Sequence, residues 1–514
     1  MTTQANFFVA LQQAMPPNKK APAIWADGDL TYSWQDLEEA TAMLANLLDD
    51  LQLPKGSRIA VQVDKSVEAV MLYLATLRAG HVFLPLNTAY QSGEIGYFLE
   101  NATPAVVVCS PANFGWVSKL AFKNGVERVF TLSDDRQGTL LERAAAMPRT
   151  HQAAVVDADT LAVIIYTSGT TGRSKGAMLS HGNITSNAET LKAYWDWQPN
   201  DVLIHALPIF HVHGLFVAIH GAMLNGSPMI WMNKFDPKRA IDHMSKGTVF
   251  MGVPTLYTRM LAEPGLTEAS TKNMRLFVSG SAPMLAETHA DWQAATGHAI
   301  LERYGMSETV MLTSNPCRPD ARYNNQAERR GGTVGFPLPG VTLRVVDDDN
   351  QPLPADEIGG IQVKGPNVFL GYWQMPEKTA EEFTSDGFFK TGDVGQQAAD
   401  GYVSIVGRSK DLIISGGYNV YPKEVEERLD ELPGVAESAV IGIPHPDFGE
   451  AVVAVLVPTG DPVSENDVRA ALADRLARFK QPKTVINVPT LPRNAMGKVQ
   501  KAELRKRYAD TFTS

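Results

Sequence analysis

The feature that most constrains this chain is an apolar run leading directly into a loop of glycines and hydroxyls. Leu161-Ala162-Val163-Ile164-Ile165-Tyr166 is followed without a break by Thr167-Ser168-Gly169-Thr170-Thr171-Gly172-Arg173-Ser174-Lys175-Gly176. The apolar run predicts a buried strand. In α/β proteins, ligands bind where such strands end. Glycines there permit close backbone approach, hydroxyls and amides donate to phosphate oxygens, and Lys175 supplies charge. The loop is not a Walker A sequence, because Ser174 rather than glycine precedes Lys175. A solvated turn accounts for glycine and serine, but not for so dense a set of phosphate donors at a strand end.

The flanking pattern alternates helix and strand. Ser33 is an N-cap for a helix whose Leu37, Leu44, Leu47, Leu48 and Leu51 recur at helical spacing. Arg58 to Val63 reads as a strand, Ser66 to Arg78 as a helix stopped by Gly80, and Ala105 to Cys109 as a short buried strand. Val202 to Leu207 is another strand, ended by Pro208. Such alternation predicts parallel α/β layers. From about Thr333 to Ile405, short strands separated by Gly, Pro and Asp predict a β-rich subdomain. After Gly407 the chain restarts. Val425, Leu429 and Leu432 lie on a helix opened near Pro422 and closed by Gly434, then come strands at Ala439–Ile443 and Ala451–Val457 and a helix near Glu465–Leu476. The expected fold class is α/β: a large N-terminal domain, residues 1–408, of layered sheets with the β-rich subdomain, and a small α+β C-terminal domain, residues 409–514.

Composition removes several function classes. With 46 Lys+Arg against 56 Asp+Glu, the net charge is −10, so the broad basic footprint of a nucleic-acid binder is missing. Two cysteines, Cys109 and Cys317, cannot build a disulfide framework or a four-thiolate metal site. Cys109 ends the run Ala105-Val106-Val107-Val108 and reads as a small buried hydrophobe. No apolar stretch approaches the roughly 20 residues that span a bilayer. The N-terminus has neither the basic start of a secretory signal nor the arginines of a transit peptide, which predicts a cytoplasmic protein with no membrane partner.

The Tyr166–Gly176 segment resembles the phosphate loop of the acyl-adenylate-forming enzymes, a superfamily of acyl-CoA synthetases, luciferases and peptide-synthetase adenylation domains. Tyr304-Gly305-Met306-Ser307-Glu308-Thr309 is similar to that family's Tyr-Gly-x-Thr-Glu motif, with Ser307 for the more usual threonine. Thr391-Gly392-Asp393 resembles its ribose-binding motif, Gly407-Arg408-Ser409-Lys410-Asp411 its hinge, and Pro492-Arg493-Asn494-Ala495-Met496-Gly497-Lys498 the segment of its C-terminal catalytic lysine. The motifs occur in the family's order, which is far more specific than any one of them.

The resemblance implies a two-step reaction using ATP, Mg²⁺ and coenzyme A. A carboxylate attacks the α-phosphate of ATP and releases pyrophosphate; a thiol then displaces AMP from the acyl-adenylate. The first step sets anion against anion, so positioning and charge neutralisation dominate. By resemblance, Thr167, Ser168, Gly169, Thr170, Thr171, Gly172 and Lys175 hold the phosphates, and Glu308 holds Mg²⁺ with the Thr170 hydroxyl close by. Asp393 accepts the ribose hydroxyls with Arg408 in support, and Lys498 bridges the α-phosphate and the attacking oxygen as a compact charge. Ser281, Ala282, Glu302, Arg303, Tyr304, Gly305, Met306 and Ser307 belong to segments that wrap the nucleotide, with Tyr304 able to stack on the purine and backbone groups near Ala282 and Glu302 able to read its edge. Lys410 is the hinge, and Ser415, Gly416 and Gly417 are expected to meet coenzyme A. Alone, Glu308 reads as a solvated surface residue, Asp393 as a turn residue and Lys498 as part of a basic tail. Motif context reverses each reading.

Pro208-Ile209-Phe210-His211, with Gly214 following, resembles the motif whose histidine contacts the reacting carboxylate or the thioester-forming intermediate. That role falls to His211, and His213 stays undecided. The H-x-H spacing lacks the further ligands of a metal site. For the acid, a dicarboxylate enzyme must place a cation where the distal carboxylate ends. Val253-Pro254-Thr255-Leu256-Tyr257-Thr258-Arg259 offers Arg259 on the opening turns of a helix, and Met274 to Ser281 offers the Ser281 hydroxyl. This combination resembles malonyl-CoA synthetases and implies that His211, Arg259 and Ser281 bind malonate, or methylmalonate if the pocket leaves room at the α-carbon. A guanidinium takes a carboxylate bidentately, as lysine cannot. The alternatives are a short- or medium-chain monocarboxylate–CoA ligase, a luciferase-like oxidase, and a nucleotide-binding module without catalysis. The chain runs only from Lys498 to Ser514 beyond the last motif, so no fused carrier domain is expected.

Overall fold

A computed structural model describes all residues except 1–3, 168–173, 283, 416–417, 447, 474, 495–496 and 513–514. The chain forms two compact units. The first comprises Met1–Gly331, Gly335–Thr342 and Lys364–Gly387; the second comprises Gly332–Val334, Leu343–Val363 and Phe388–Ser514.

The first unit holds two large sheets among its described residues. In one, Leu161–Thr167 lies between Val82–Pro85 and Lys175–Ser180, with Arg58–Gln62, Val106–Cys109 and Arg128–Thr131 continuing the sheet in parallel. The other runs through the parallel strands Leu301–Tyr304, Leu276–Ser279, Val249–Gly252, Leu203–His205 and Met229–Trp231. The expected α/β layering is therefore present. Local chemistry explains the helices. Ser33 and Asp36 form a reciprocal capping box that starts Trp34–Asp50, which buries Leu37, Leu44, Leu47 and Leu48. Ser66 caps Val67–Arg78, whose twelve residues are all buried, as befits a helix apolar around its circumference. Gly80, at φ +75°, then lets the chain turn away.

The strand expected over Val202–Leu207 is confined to Leu203–His205, because Met229–Trp231 pairs with only those three residues. The helix carrying Arg259 is Pro254–Leu261, so Arg259 lies in its last turn rather than its opening turns. Proline at the first position starts this helix without losing a needed donor.

In the second unit, Thr342–Val346, Gly359–Lys364, Phe389–Gln397 and Val403–Arg408 form a four-stranded sheet, the β-rich stretch of the sequence. The unit also holds the hairpin Val435–His445 and Gly449–Pro458, with Thr484–Asn487 added in parallel. Helix Pro422–Asp430 buries Val425 and Leu429 on this sheet, and helix Glu465–Leu472 buries Val468 and Leu472. None of the described helices is long and apolar enough to cross a membrane.

Candidate active site

The phosphate loop is carried by two antiparallel strands, in which Thr167 pairs with Lys175. Ser168, Gly169, Thr170, Thr171 and Gly172 lie outside the described residues. The next helix, His181–Tyr194, begins only after Lys175–Ser180. The segment is thus followed by a strand rather than directly by a helix N-terminus.

Lys175 and Glu308 are joined through Tyr372. The Lys175 ammonium lies 4.2 Å from the centroid of the Tyr372 ring and 3.3 Å from Glu382 Oε1. The Tyr372 hydroxyl donates to Glu308 Oε1 at 3.0 Å, and both residues are buried. Tyr372 reaches this place because Gly371–Tyr372 pairs with Lys175–Ser180. Sequence reasoning missed it; its only local signal is a Gly-Tyr step. Ahead of Glu308, Gly305 has no room for a side chain, since a Cβ would meet the Val310 carbonyl oxygen at 2.0 Å. Val310 follows at φ +56°, a strained conformation for a β-branched residue. Glu308 is thus held by a tightly constrained turn.

The described residues contain no cluster of three or more acidic, histidine or cysteine side chains able to hold a metal. The single buried Glu308 carboxylate fits magnesium, which takes few protein carboxylates and fills its shell from phosphates and water.

His211, His213 and Ser281 come together. The His213 amide donates to His211 Nδ1 at 3.3 Å, so a neutral His211 carries its proton on Nε2. His213 is fully buried, and its Nδ1 lies 3.3 Å from Ser281 Oγ. Burial, followed by the charges of Arg303, His211 and His205, holds the His213 pKa well below the usual histidine value. His213 is therefore neutral, and it belongs to the site through Ser281. His213 opens a π-helical stretch, His213–Ile219, which sequence periodicity did not reveal, and His211 lies two residues before it. Gly214 is required there, because a Cβ would sit 2.0 Å from the Pro208 carbonyl oxygen. Ser281 adopts φ +73°, a rare backbone state outside glycine.

Other predicted residues are placed differently. Arg259 is exposed, with its guanidinium carbon 5.0 Å from the Phe235 ring centroid and no carboxylate partner among the described residues. Tyr304, Gly305, Met306 and Ser307 are half-buried, as is Ala282. The Glu302 carbonyl already accepts from Asn315 N at 2.9 Å and Nδ2 at 3.1 Å. Both lone pairs of that carbonyl are therefore engaged.

In the second unit, Asp393 and Arg408 are cross-strand neighbours. Arg408 Nε lies 2.7 Å from Asp393 Oδ1, and Asp393 is buried. The support of Arg408 for Asp393 is thus a direct ion pair. Immediately after Arg408, Ser409–Asp411 forms a 3₁₀ turn, tied to the last helix by Arg505 Nη1 at 2.9 Å from Asp411 Oδ1. Ser415 pairs with Tyr418 in a hairpin, and the intervening Gly416 and Gly417 lie outside the described residues. Lys498 is exposed; its amide donates to Asn494 Oδ1 at 3.0 Å, and its carbonyl accepts from Asn494 N at 2.9 Å.

Residues 11–373 match the AMP-binding enzyme family, and residues 424–498 match the AMP-binding enzyme C-terminal domain. The chain is 35% identical over 487 residues to a malonate–CoA ligase of Arabidopsis thaliana, covering 88% of this chain and 78% of the relative. It is 33% identical over 486 residues to a feruloyl-CoA synthase of an Amycolatopsis species, covering 94% of this chain and 95% of the relative. The crystal structure of ATP-bound MatB from Rhodopseudomonas palustris is similar with a TM-score of 0.95 at 51% sequence identity, covering 99% of this chain and all of that one.

Proposed function

The chain belongs to the AMP-binding enzyme family, and we propose that it is an ATP-dependent malonate–CoA ligase that forms malonyl-adenylate and then malonyl-CoA. Similar overall identity to a malonate ligase and a feruloyl-CoA synthase does not select the acid. Side chains do. The observation that carries the choice is a cation without a carboxylate partner among the described residues, Arg259, in a unit that also presents Ser281. A second carboxylate uses such a cation; an aromatic or alkyl monocarboxylate does not.

Each group has a task in adenylation. Lys175 neutralises phosphate charge and Tyr372 holds the Glu308 carboxylate in place. Glu308, with Thr170, would hold Mg²⁺, which when bound neutralises charge on the phosphates. Asp393, fixed by Arg408, accepts the ribose hydroxyls. Lys498 supplies a compact charge to the α-phosphate and attacking carboxylate. His211, with its proton on Nε2, donates to the acyl carboxylate. Ser415, Gly416 and Gly417 meet coenzyme A in the second half-reaction. Methylmalonate is a further substrate if the α-carbon has room.

A panel of malonate, methylmalonate, propionate, octanoate and ferulate, scored by CoA-dependent AMP formation, tests the reading. Malonate should give the highest kcat/KM. A higher value for any monocarboxylate would overturn the assignment.

A further inference from the structure

His205 is a buried histidine to which the chemistry above gives no task. It is the last residue of the strand Leu203–His205, in the sheet that also carries Met229–Trp231 and Leu276–Ser279. Its ring stacks on Trp231, with ring centroids 4.8 Å apart and planes 11° from parallel. Its Nε2 lies 3.0 Å from the Gly214 carbonyl oxygen. A carbonyl only accepts, so Nε2 carries the proton and donates it. Nδ1 is then a bare lone pair, buried and without a hydrogen-bond partner among the described residues. The backbone of His205 is pinned from the other large sheet. Lys65, just beyond the strand Arg58–Gln62, donates from Nζ to the carbonyls of His205 at 3.0 Å and Met232 at 2.7 Å. The same ammonium lies 4.5 Å from the Trp231 ring centroid.

If stacking on Trp231 were the whole role of this ring, phenylalanine would fill it and strand no polar atom in the interior. What imidazole adds is the donor to Gly214. That carbonyl belongs to the turn that carries the two site histidines. Gly214 directly follows His213, whose amide donates to His211 Nδ1 and whose own Nδ1 lies 3.3 Å from Ser281 Oγ. The Leu215 amide donates to the His211 carbonyl at 3.0 Å, so His211 to Leu215 form one hydrogen-bonded turn. At Gly214 that turn has no side chain by which packing can hold it, and glycine backbone is the least restricted of all. The His205 donor supplies the restraint. Burial, with the Lys65 charge next, holds the His205 pKa well below the usual histidine value, so the ring stays neutral and keeps this tautomer.

We propose that His205 is a positioning residue of the acyl site: by donating from Nε2 to the Gly214 carbonyl it fixes the His211–Gly214 turn, and so aims the His211 Nε2–H at the carboxylate being activated. Lys65 and Trp231 hold the backbone and ring of His205 in place for that bond. Displacing a substrate-facing group by about 1 Å costs on the order of a hundredfold in rate, so one backbone restraint has leverage. The inference rests on the reading that His211 donates to the acyl carboxylate, and it holds for whichever acid the enzyme takes.

The test uses the whole chain with ATP, CoA and whichever acid the wild type turns over fastest. His205→Phe keeps a ring on Trp231 and deletes the donor; His205→Gln keeps an amide donor of similar reach and deletes the ring. In the phenylalanine variant kcat should fall about thirtyfold or more, with the KM for ATP within about twofold of wild type. The glutamine variant should recover at least about tenfold of that loss. In a His211→Ala background, His205→Phe should cost less than about a further threefold, because both changes act through one group. A phenylalanine variant within about threefold of wild type overturns the proposal and leaves His211 in its role. So does a glutamine variant no better than phenylalanine, which would make His205 merely structural, and so do losses that multiply in full in the double variant. Wild-type activity in His211→Ala overturns the reading of His211 and this inference with it. If the phenylalanine variant does not fold, His205→Asn replaces it, since the shorter amide stops short of Gly214. It should show the same loss, and activity equal to that of His205→Gln overturns the proposal.

Discussion

The hydroxyl of Tyr372 donates a 3.0 Å hydrogen bond to Oε1 of Glu308, inside the first unit and out of contact with bulk water. The same ring lies 4.2 Å from the Lys175 ammonium. One side chain therefore touches both a carboxylate and a cation that are proposed to manage phosphate charge. Neutral phenol is the right partner: it orients Glu308 without cancelling the negative charge that a metal needs.

Tyr372→Phe keeps the ring and deletes the donor. Hydrogen bonds to charged groups contribute about 1.5–3 kcal/mol. Acid-dependent pyrophosphate exchange should fall roughly tenfold or more, with half-saturating Mg²⁺ moved upward. Mg²⁺ dependence identical to wild type would remove the positioning role.

Lys498→Ala should lose most pyrophosphate exchange yet still convert supplied malonyl-adenylate to malonyl-CoA, because the charge acts on the α-phosphate. The Asn494 contacts to the Lys498 backbone do not depend on its side chain, so the turn should persist. Equal loss in both half-reactions would contradict the assignment.

Lys410, the expected hinge residue, sits in the 3₁₀ turn Ser409–Asp411. The φ of such turns is close to the value proline imposes, so Lys410→Pro should keep this conformation and hinder any other. Thioester formation should then suffer more than adenylation. Unchanged thioester formation from a supplied adenylate would dispose of the hinge.

Arg259 should carry modest weight, because it is exposed. An exposed ion pair is worth at most about 1 kcal/mol, so Arg259→Ala should lower the malonate-to-propionate ratio no more than roughly tenfold. Ser281→Ala should act in the same direction and more weakly, through loss of a neutral hydrogen bond. A hundredfold fall in Arg259→Ala would contradict an exposed ion pair.

Asp430 gives the second unit a pH dependence. It is the last residue of helix Pro422–Asp430, where the helix dipole disfavours negative charge, and its buried Oδ1 has no hydrogen-bond partner among the described residues. Burial, then the nearby Glu426 and Glu437, push its pKa from 3.8 up to about 7. Lys501 pairs with Glu426 and Arg493 pairs with Glu437. The folded state then binds the proton more tightly than the unfolded chain. The resulting stability is fully present below about pH 4 and is lost as pH rises through 7, an effect on the order of a few kcal/mol. Between pH 5.5 and 8 the melting temperature should fall in wild type and fall less in Asp430→Asn. Equal slopes would show that Asp430 titrates normally.

By itself the amino-acid sequence determined whatever depends on neighbours along the chain. Ser33 with Asp36, Ser66, Gly80 and the leucine spacing specify helix ends and buried faces because capping and periodicity act over a few residues. The Tyr166–Gly176, Tyr304–Thr309 and Pro492–Lys498 motifs could be recognised for the same reason: each lies within one short stretch. Tertiary structure decided the rest. The contacts of Tyr372 with Glu308, His213 with Ser281 and Arg303 with Gly280 join segments whose proximity follows from sheet order and strand register. It also left Arg259 exposed while burying Arg303 on the neighbouring sheet. Residue type cannot distinguish two arginines. Only packing, by removing water from one and leaving it around the other, sets the strength with which each can hold an anion.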